Sequence, residues 1–229
     1  MQKINDWYIP DYDTHFKEYL ATHGNEYQKE PRDFALRQVT KFRNAIDVGG
    51  NIGFWSKDLC KLFTNVEIFE PDASNVECLE LNLHSHSNYK LHHTGLGHTN
   101  TEKEFYKSNT SSGAHTFNPE HMPSGEVSKS FVEIKTLDSY NFNKVDFIKI
   151  DTQGSELDIL QGARQTLITN DCVLNIEIEQ KNPKQVALGR PIFEFMESLG
   201  YVQLDRFKRD EVLFAKRKRK ITKQAFKRK

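Results

Sequence analysis

The sequence predicts an α/β fold: a doubly wound, mostly parallel sheet that ends in an antiparallel hairpin. Three observations predict it. Short apolar runs alternate with helical patterns from residue 44 to residue 200. The first run, NAIDVGG at 44–50, ends in glycines. The last two runs, YVQLDRF at 201–207 and EVLFAKR at 211–217, flank a short polar turn. A parallel sheet with one antiparallel strand at or near its edge accounts for all three. Such a sheet places ligands outside the carboxyl ends of its strands, at the switch point.

The elements follow in order. Residues 1–30 are aromatic and mixed in charge, with Trp7, Tyr8, Phe16, Tyr19 and Tyr27, and read as a cap with one short helix. Pro31 opens a helical pattern that sets Ala35, Leu36, Val39 and Phe42 on one face. After the strand at 44–50, residues 54–63 form a helix. VEIFEP at 66–71 is a second strand, stopped by Pro71. Residues 74–83 form a helix with Val76, Leu79 and Leu83 in one stripe, and YKLHHTGLG at 89–97 is a third strand.

The rhythm then breaks. KEFYK at 103–107 can be a strand, residues 108–130 are a long polar loop, and FVEIKTL at 131–137 alternates like an edge strand. Alternation resumes with a strand at 145–151, a helix at 156–167, a strand at 172–179 and a helix opened by Pro191 and closed at Gly200. The expected organisation is an N-terminal cap at 1–43, a sheet domain at 44–217 with 108–130 on the substrate side, and a basic tail at 218–229.

The chain has 229 residues, 28% of them charged, with a formal net charge of zero. At this length one domain buries roughly 70–75% of its unfolded surface and needs no staples. The neutrality is a sum of unlike parts. Residues 216–229 carry nine of the 32 basic residues and no acid, which leaves a body with 23 basic and 32 acidic residues. No apolar stretch approaches the ~18–20 residues of a membrane span. The opening MQKINDWYIPDYDTHF is not a signal peptide. Cys60, Cys78 and Cys172 are too few and scattered for a disulfide framework or a Cys-based zinc site. They read as reduced, buried thiols of a cytoplasmic protein.

The sharpest constellation is Asp47-Val48-Gly49-Gly50-Asn51-Ile52-Gly53 after the first strand. Glycines there let the backbone turn tightly and approach a ligand, with a helix N-terminus behind them. A dinucleotide fingerprint counted from Gly49 needs glycine at 51 and 54, where the chain has Asn51 and Phe54. Counted from Gly50, it meets Ile52 and Trp55 instead. The nucleoside-binding turn of S-adenosylmethionine enzymes has an acid two before the first glycine and a glycine four after it. Asp47, Gly49 and Gly53 fit that pattern. Glu70 ends the second strand, 23 residues after Asp47, and a carboxylate there can accept both ribose hydroxyls. Taken singly, Asp47 would serve as a helix cap and Glu70 as a solvated strand end. Together, on successive strand ends, they point to a nucleoside site.

DVGGNIG, FEP and FIKIDTQGSELDILQGA resemble the FkbM-type S-adenosylmethionine-dependent methyltransferases over residues 45–179. The third motif is the most specific, with Lys149, Asp151, Gly154, Glu156, Leu157 and Leu160 in the family places. It departs at Gln153, where the family commonly has an acid. The resemblance implies a class I methyltransferase, Rossmann-like fold. It implies S-adenosyl-L-methionine as cofactor, with S-adenosyl-L-homocysteine as product. It also implies methyl transfer to a hydroxyl oxygen of a sugar, other glycan or small hydroxylated acceptor. The residues expected to bind the cofactor are Asp47, Gly49, Gly50, Asn51, Gly53, Glu70, Pro71 and Asp151. Leu96 and Gly97, where such folds contact the adenine, join them by resemblance.

Asp151 is expected to face the sulfonium end of the cofactor. There it could hold the amino group, orient the acceptor or accept its proton. Glu156 is a second candidate for chemistry, or a carboxylate placed favourably in a first helical turn. Glu177 and Glu179 could join Asp151 in a site for a hard cation, though a solvated strand end with one paired acid is preferred and no metal is expected. Seven of the nine histidines fall between residues 84 and 121. His92 and His93 are adjacent on a strand and point to opposite faces, which argues against a structural metal. His115, in the long loop, is kept as a catalytic base. Two rivals stand beside this reading. One is a nicotinamide-dependent oxidoreductase. The other is a methyltransferase-like scaffold that binds nucleic acid or an anionic surface through the tail at 216–229.

Overall fold

The computed structural model describes residues 1–122, 125–179, 182–207 and 210–217. A cap comes first: β1 (Gln2–Ile4), β2 (Trp7–Ile9), α1 (Thr14–His23) and α2 (Lys29–Leu36). The alternating half follows: β3 (Asn44–Val48), α3 (Ser56–Leu62), β4 (Asn65–Phe69), α4 (Ala73–Asn82) and β5 (Tyr89–His92). Then come β6 (Gly95–Leu96), β7 (Thr101–Ser108) and β8 (Val127–Lys135). The chain ends with β9 (Val145–Ile150), α5 (Glu156–Gln161), α6 (Arg164–Thr169), β10 (Val173–Glu177), α7 (Pro183–Ser198), β11 (Tyr201–Phe207) and β12 (Glu211–Lys216).

Among the described residues the main sheet has seven strands, in the order β11-β12-β10-β9-β3-β4-β5. β10, β9, β3, β4 and β5 pair in parallel, while β12 is antiparallel to both of its neighbours. This is the predicted doubly wound sheet with its terminal hairpin. The chain leaves β3 toward one edge and returns to β9 on the other side, so the switch point lies between β3 and β9. β9 reads VDFIKI and is buried at every residue, because helices cover both faces of a parallel sheet. One face packs Ile46, Ile148, Ile150 and Leu174 against Leu160, Leu167 and Met196. The other packs Ala45, Ile68, Phe147 and Val173 against Trp55, Leu59 and Leu79. Each such fully buried large side chain contributes roughly 1.5–3 kcal/mol.

Several boundaries differ from expectation. The third strand does not run from 89 to 97. β5 stops at His92, and β6 instead pairs with β8 in a separate three-stranded sheet ordered β6-β8-β7. The long loop is shorter than 108–130, since β8 begins at Val127 and 3₁₀ turns occupy Ser112–Ala114 and Pro119–His121. The helix at 156–167 breaks into α5 and α6 at Gly162. There the Gly97 carbonyl comes so close that a Cβ on Gly162 would lie 2.0 Å from its oxygen. The last helix opens at Pro183, eight residues before Pro191, which sits inside it; Asn182 caps that start by accepting from the Gln185 N–H. α2 ends at Leu36, so Phe42 lies beyond the helix, against Phe63.

The cap holds the two helices expected of it and, in addition, the hairpin β1–β2. Asp13 caps α1 by accepting from the Phe16 N–H at 2.7 Å, and its other oxygen accepts from the Ser112 N–H at 2.7 Å. One carboxylate therefore ties the cap to the loop after β7. Trp7, Phe16 and Tyr27 gather around Phe54 with ring centroids 4.5–5.0 Å away. The three cysteines are free and buried, as read from the sequence. Among the described residues no helix is long and apolar enough to cross a membrane. The basic tail at 218–229 lies outside the described residues.

Candidate active site

The site is built where β3 and β9 part. Gly49 follows β3 with φ +79°, and its N–H and that of Gly50 both donate to the Phe69 carbonyl at 3.0 Å. A side chain at Gly49 would drive a Cβ to 2.0 Å from the backbone oxygen of Asp151. The turn is therefore pressed against the end of β9, and only glycine permits it. Asn51 is also left-handed, with φ +49°. Asp47 lies beneath this turn, fully buried, and accepts from the Ser56 hydroxyl at 2.6 Å. It does not reach the cavity wall; it holds α3 to the strand. Gly53, next along, packs toward Leu79 and Leu83.

Glu70, just past β4, stands across the turn. One of its oxygens accepts from the Asn51 N–H at 2.8 Å, the other from the Asp72 N–H at 2.9 Å and the Asn75 amide at 3.3 Å. Burial pushes its carboxyl up to about 7, and the two backbone donors hold it back from rising further. Beside it, the buried side-chain oxygens of Asn51 and Asn75 have no hydrogen-bond partner among the described residues. These are acceptors waiting for donors.

At the other end, Lys149 on β9 donates to the Gly49 carbonyl at 2.9 Å. Its Nζ lies 3.5 Å from Asp47 and 3.6 Å from Asp151. Burial pushes Asp151 up, but Lys149 and hydrogen bonds from Glu177 and Gln153 outweigh it, so its carboxyl sits below the usual range. Gln153, left-handed at φ +55°, donates from one amide nitrogen to Asp151 at 3.0 Å and to Glu177 at 2.6 Å. Glu177 is raised well above the ordinary carboxylate value, by burial first and by the Asp151 charge second.

Both ends open into one cavity of about 910 Å³, counting its mouth. Of the residues named from the sequence, Gly49, Gly50, Asn51, Glu70, Pro71, Leu96, His115, Asp151 and Glu177 line it. Gly97 stands behind the wall, packed on Ile134 and Asp158. Glu156 is turned away: it accepts from the Thr152 and Gly154 N–H groups and from the Thr152 hydroxyl, and so clasps the turn after β9. His115 is pushed down to about 4, mainly by burial, so its imidazole is neutral near neutral pH and a weak proton acceptor. Its Nε2 lies 3.0 Å from the Tyr12 hydroxyl, and its Nδ1 has no partner among the described residues.

The three acids Asp151, Glu177 and Glu179 do not form a cation site. Glu179 turns to the Gln185 amide at 2.6 Å, in an adjoining cavity. Among the described residues no group of three or more His, Cys, Asp or Glu is placed to hold a metal.

Sequence reasoning missed several wall residues. Phe16, Tyr27 and Gln28 come from the cap, Phe105, Ser112 and Phe117 from the second sheet and its loop, and Asn75 from α4. No spacing rule brings such distant segments together. Lys149 did carry a signal, because a lysine inside a mostly apolar, buried run needs a partner.

This strand order, with its ligand cavity at the β3/β9 switch point, defines the class I methyltransferase fold. Residues 47–202 match the family described as "Methyltransferase FkbM domain", and the chain belongs to that family. Two solved structures share the fold. The methyltransferase FkbM of Methylobacillus flagellatus KT is 18% identical with a TM-score of 0.55, over 87% of this chain and 52% of its own. This chain therefore spans about half the length of that one. A protein of Streptococcus mutans described as a methyltransferase and solved in complex with SAH is 13% identical with a TM-score of 0.53, over 82% of this chain and 96% of its own. No curated protein sequence matches the chain.

Proposed function

We propose that this protein transfers a methyl group from S-adenosylmethionine to a hydroxyl oxygen of a glycan or small hydroxylated acceptor. One observation carries the reading: a single cavity joins a nucleoside-type end, at Glu70 and the 49–51 turn, to an acidic end at Asp151 and Glu177. The donor set fits the cofactor. Ribose hydroxyls would give their protons to Glu70 and to the orphaned oxygens of Asn51 and Asn75. Phe69, Pro71 and Leu96 offer apolar surface for the base. Asp151 would hold the amino group. The cofactor supplies an electrophilic methyl on a cationic sulfur. Displacement there needs alignment and exclusion of water more than a strong base. Phe16, Tyr27 and Phe54 supply that exclusion by roofing the cavity with aromatic rings. The choice of oxygen rests on the family resemblance and on a carboxyl being at hand for the proton.

Calorimetric titration with S-adenosylhomocysteine tests the cofactor half. The wild type is expected to bind, and Glu70→Ala to bind at least about tenfold more weakly, since hydrogen bonds to a charged group contribute roughly 1.5–3 kcal/mol. No binding by the wild type at millimolar ligand would remove the reading. Labelled cofactor offered with glycans, nucleic acids and small hydroxylated metabolites tests the acceptor half. Transfer confined to nucleic acid would overturn the acceptor proposed.

A further inference from the structure

The acidic end of the cavity holds more acid than base. Lys149 is already committed to Gly49, Asp47 and Asp151. Glu177, on the same wall, has no Lys, Arg or His within ion-pair distance among the described residues. Its partners are the Gln153 amide, which it shares with Asp151, and Asp151 itself, to which its carboxyl donates. The charged groups that face it from other elements are mostly acids: Asp151 on β9, Glu156 on α5, and Glu211, its cross-strand neighbour on β12. The Tyr27 hydroxyl faces it from the cap, and Glu179 follows it in the chain. Two carboxyls tied by one amide beside a single committed lysine do not both stay ionised until a second cation arrives.

We propose that Glu177 is the proton acceptor of the reaction and its charge sensor: it gives up its proton when a cationic ligand enters the cavity, and takes one when that charge is lost. The inference rests on the cofactor reading above. During transfer the hydroxyl oxygen forms the new C–O bond and the C–S bonding pair stays on sulfur, which becomes neutral. The hydroxyl proton goes to Glu177, which no longer faces a cation. The raised Glu177 carboxyl supports this order of events.

S-adenosylmethionine and S-adenosylhomocysteine share their amino, carboxylate and nucleoside groups and differ in the charge on sulfur, so together they isolate the effect. Each is titrated calorimetrically near neutral pH in two buffers of different ionisation enthalpy. Binding of the methionine form is expected to release more proton than binding of the homocysteine form, since the share that Glu70 gives up to the ribose hydroxyls is common to both. The affinity for the methionine form then rises with pH more steeply than that for the homocysteine form, by up to about a further tenfold per pH unit below the Glu177 pKa. Glu177→Gln abolishes the difference, whereas Glu211→Gln, outside the cavity wall, keeps it. Equal proton release from the two ligands in the wild type overturns the proposal, whether or not the variants fold. A difference that survives in Glu177→Gln overturns it as well. If neither ligand binds, it is the cofactor reading that has failed.

Discussion

Gly49→Ala is expected to destabilise the protein by about 3 kcal/mol or more and to abolish cofactor binding. Two costs add. A left-handed backbone at φ +79° costs an alanine roughly 1–2 kcal/mol. The new methyl would also stand 2.0 Å from the Asp151 carbonyl oxygen, which is strand backbone and cannot swing aside. Relief requires β3 and β9 to part at the switch point, and overpacking of that kind costs typically 1–3 kcal/mol. Gly200→Ala is the internal control: its φ is +80°, yet nothing lies within 4 Å of the added Cβ. It carries the backbone cost without the clash. In urea melts the difference between the two variants measures the contact. For a chain of this length, 3 kcal/mol corresponds to a fall in Tm of roughly 6–12 °C. Equal destabilisation by the two substitutions would show that the turn and β9 are not in contact.

The sheet was legible because its signals are local. A buried parallel strand is a short apolar run, and the glycine and proline that stop it sit beside it in sequence. The strand from 89 to 97 was misread because its composition is continuous while its partners are not. His92 continues the main sheet, but Gly95 and Leu96 pair with β8, some 39 residues further on. The late start assigned to α7 has a plainer cause. Asn182 and Pro183 carry the cap and first-turn signal, and Pro191 carries the same proline cue further along.

The candidate site divides in the same way. Gly49, Asn51, Glu70 and Asp151 lie at strand ends, and spacing along one chain segment finds them. Glu156 shares their motif but not their cavity, because a single turn of backbone decides which way a carboxylate faces. Its oxygens are taken by the Thr152 and Gly154 donors. The cap and loop residues at the cavity are tied by long-range bonds: the buried Asp13 bridges α1 and Ser112 across 99 positions of sequence, and the Thr14 and His15 N–H groups donate to the Thr110 carbonyl. Nothing local to either segment announces those bonds.

Lys149→Met is expected to cost about 3–5 kcal/mol, the usual consequence of removing one partner of a buried ion pair. The lysine is the only buried cation near Asp47 and Asp151 among the described residues, and methionine fills much of its volume without its charge. The loss should depend on pH in a defined direction. Asp47 already sits above its ordinary value, from burial first, with Lys149 holding it down; without the lysine it rises further. A carboxyl raised in the folded state costs nothing below its unfolded pKa, and destabilises increasingly as pH rises through the window up to its folded pKa. Asp151 changes sign. In the wild type its lowered carboxyl contributes stability present above its unfolded pKa, and that contribution vanishes with Lys149. The lysine's own pKa is raised, so it stays charged well past neutral pH and adds no slope there. Both acids therefore widen the gap between wild type and variant from about pH 4 upward. Urea melts near pH 5 and pH 7.5 should show the larger gap at the higher pH, and adding Asp47→Asn should recover part of it. A gap independent of pH would mean that Lys149 stabilises by packing its stem and bonding Gly49, not by compensating the acids at the switch point.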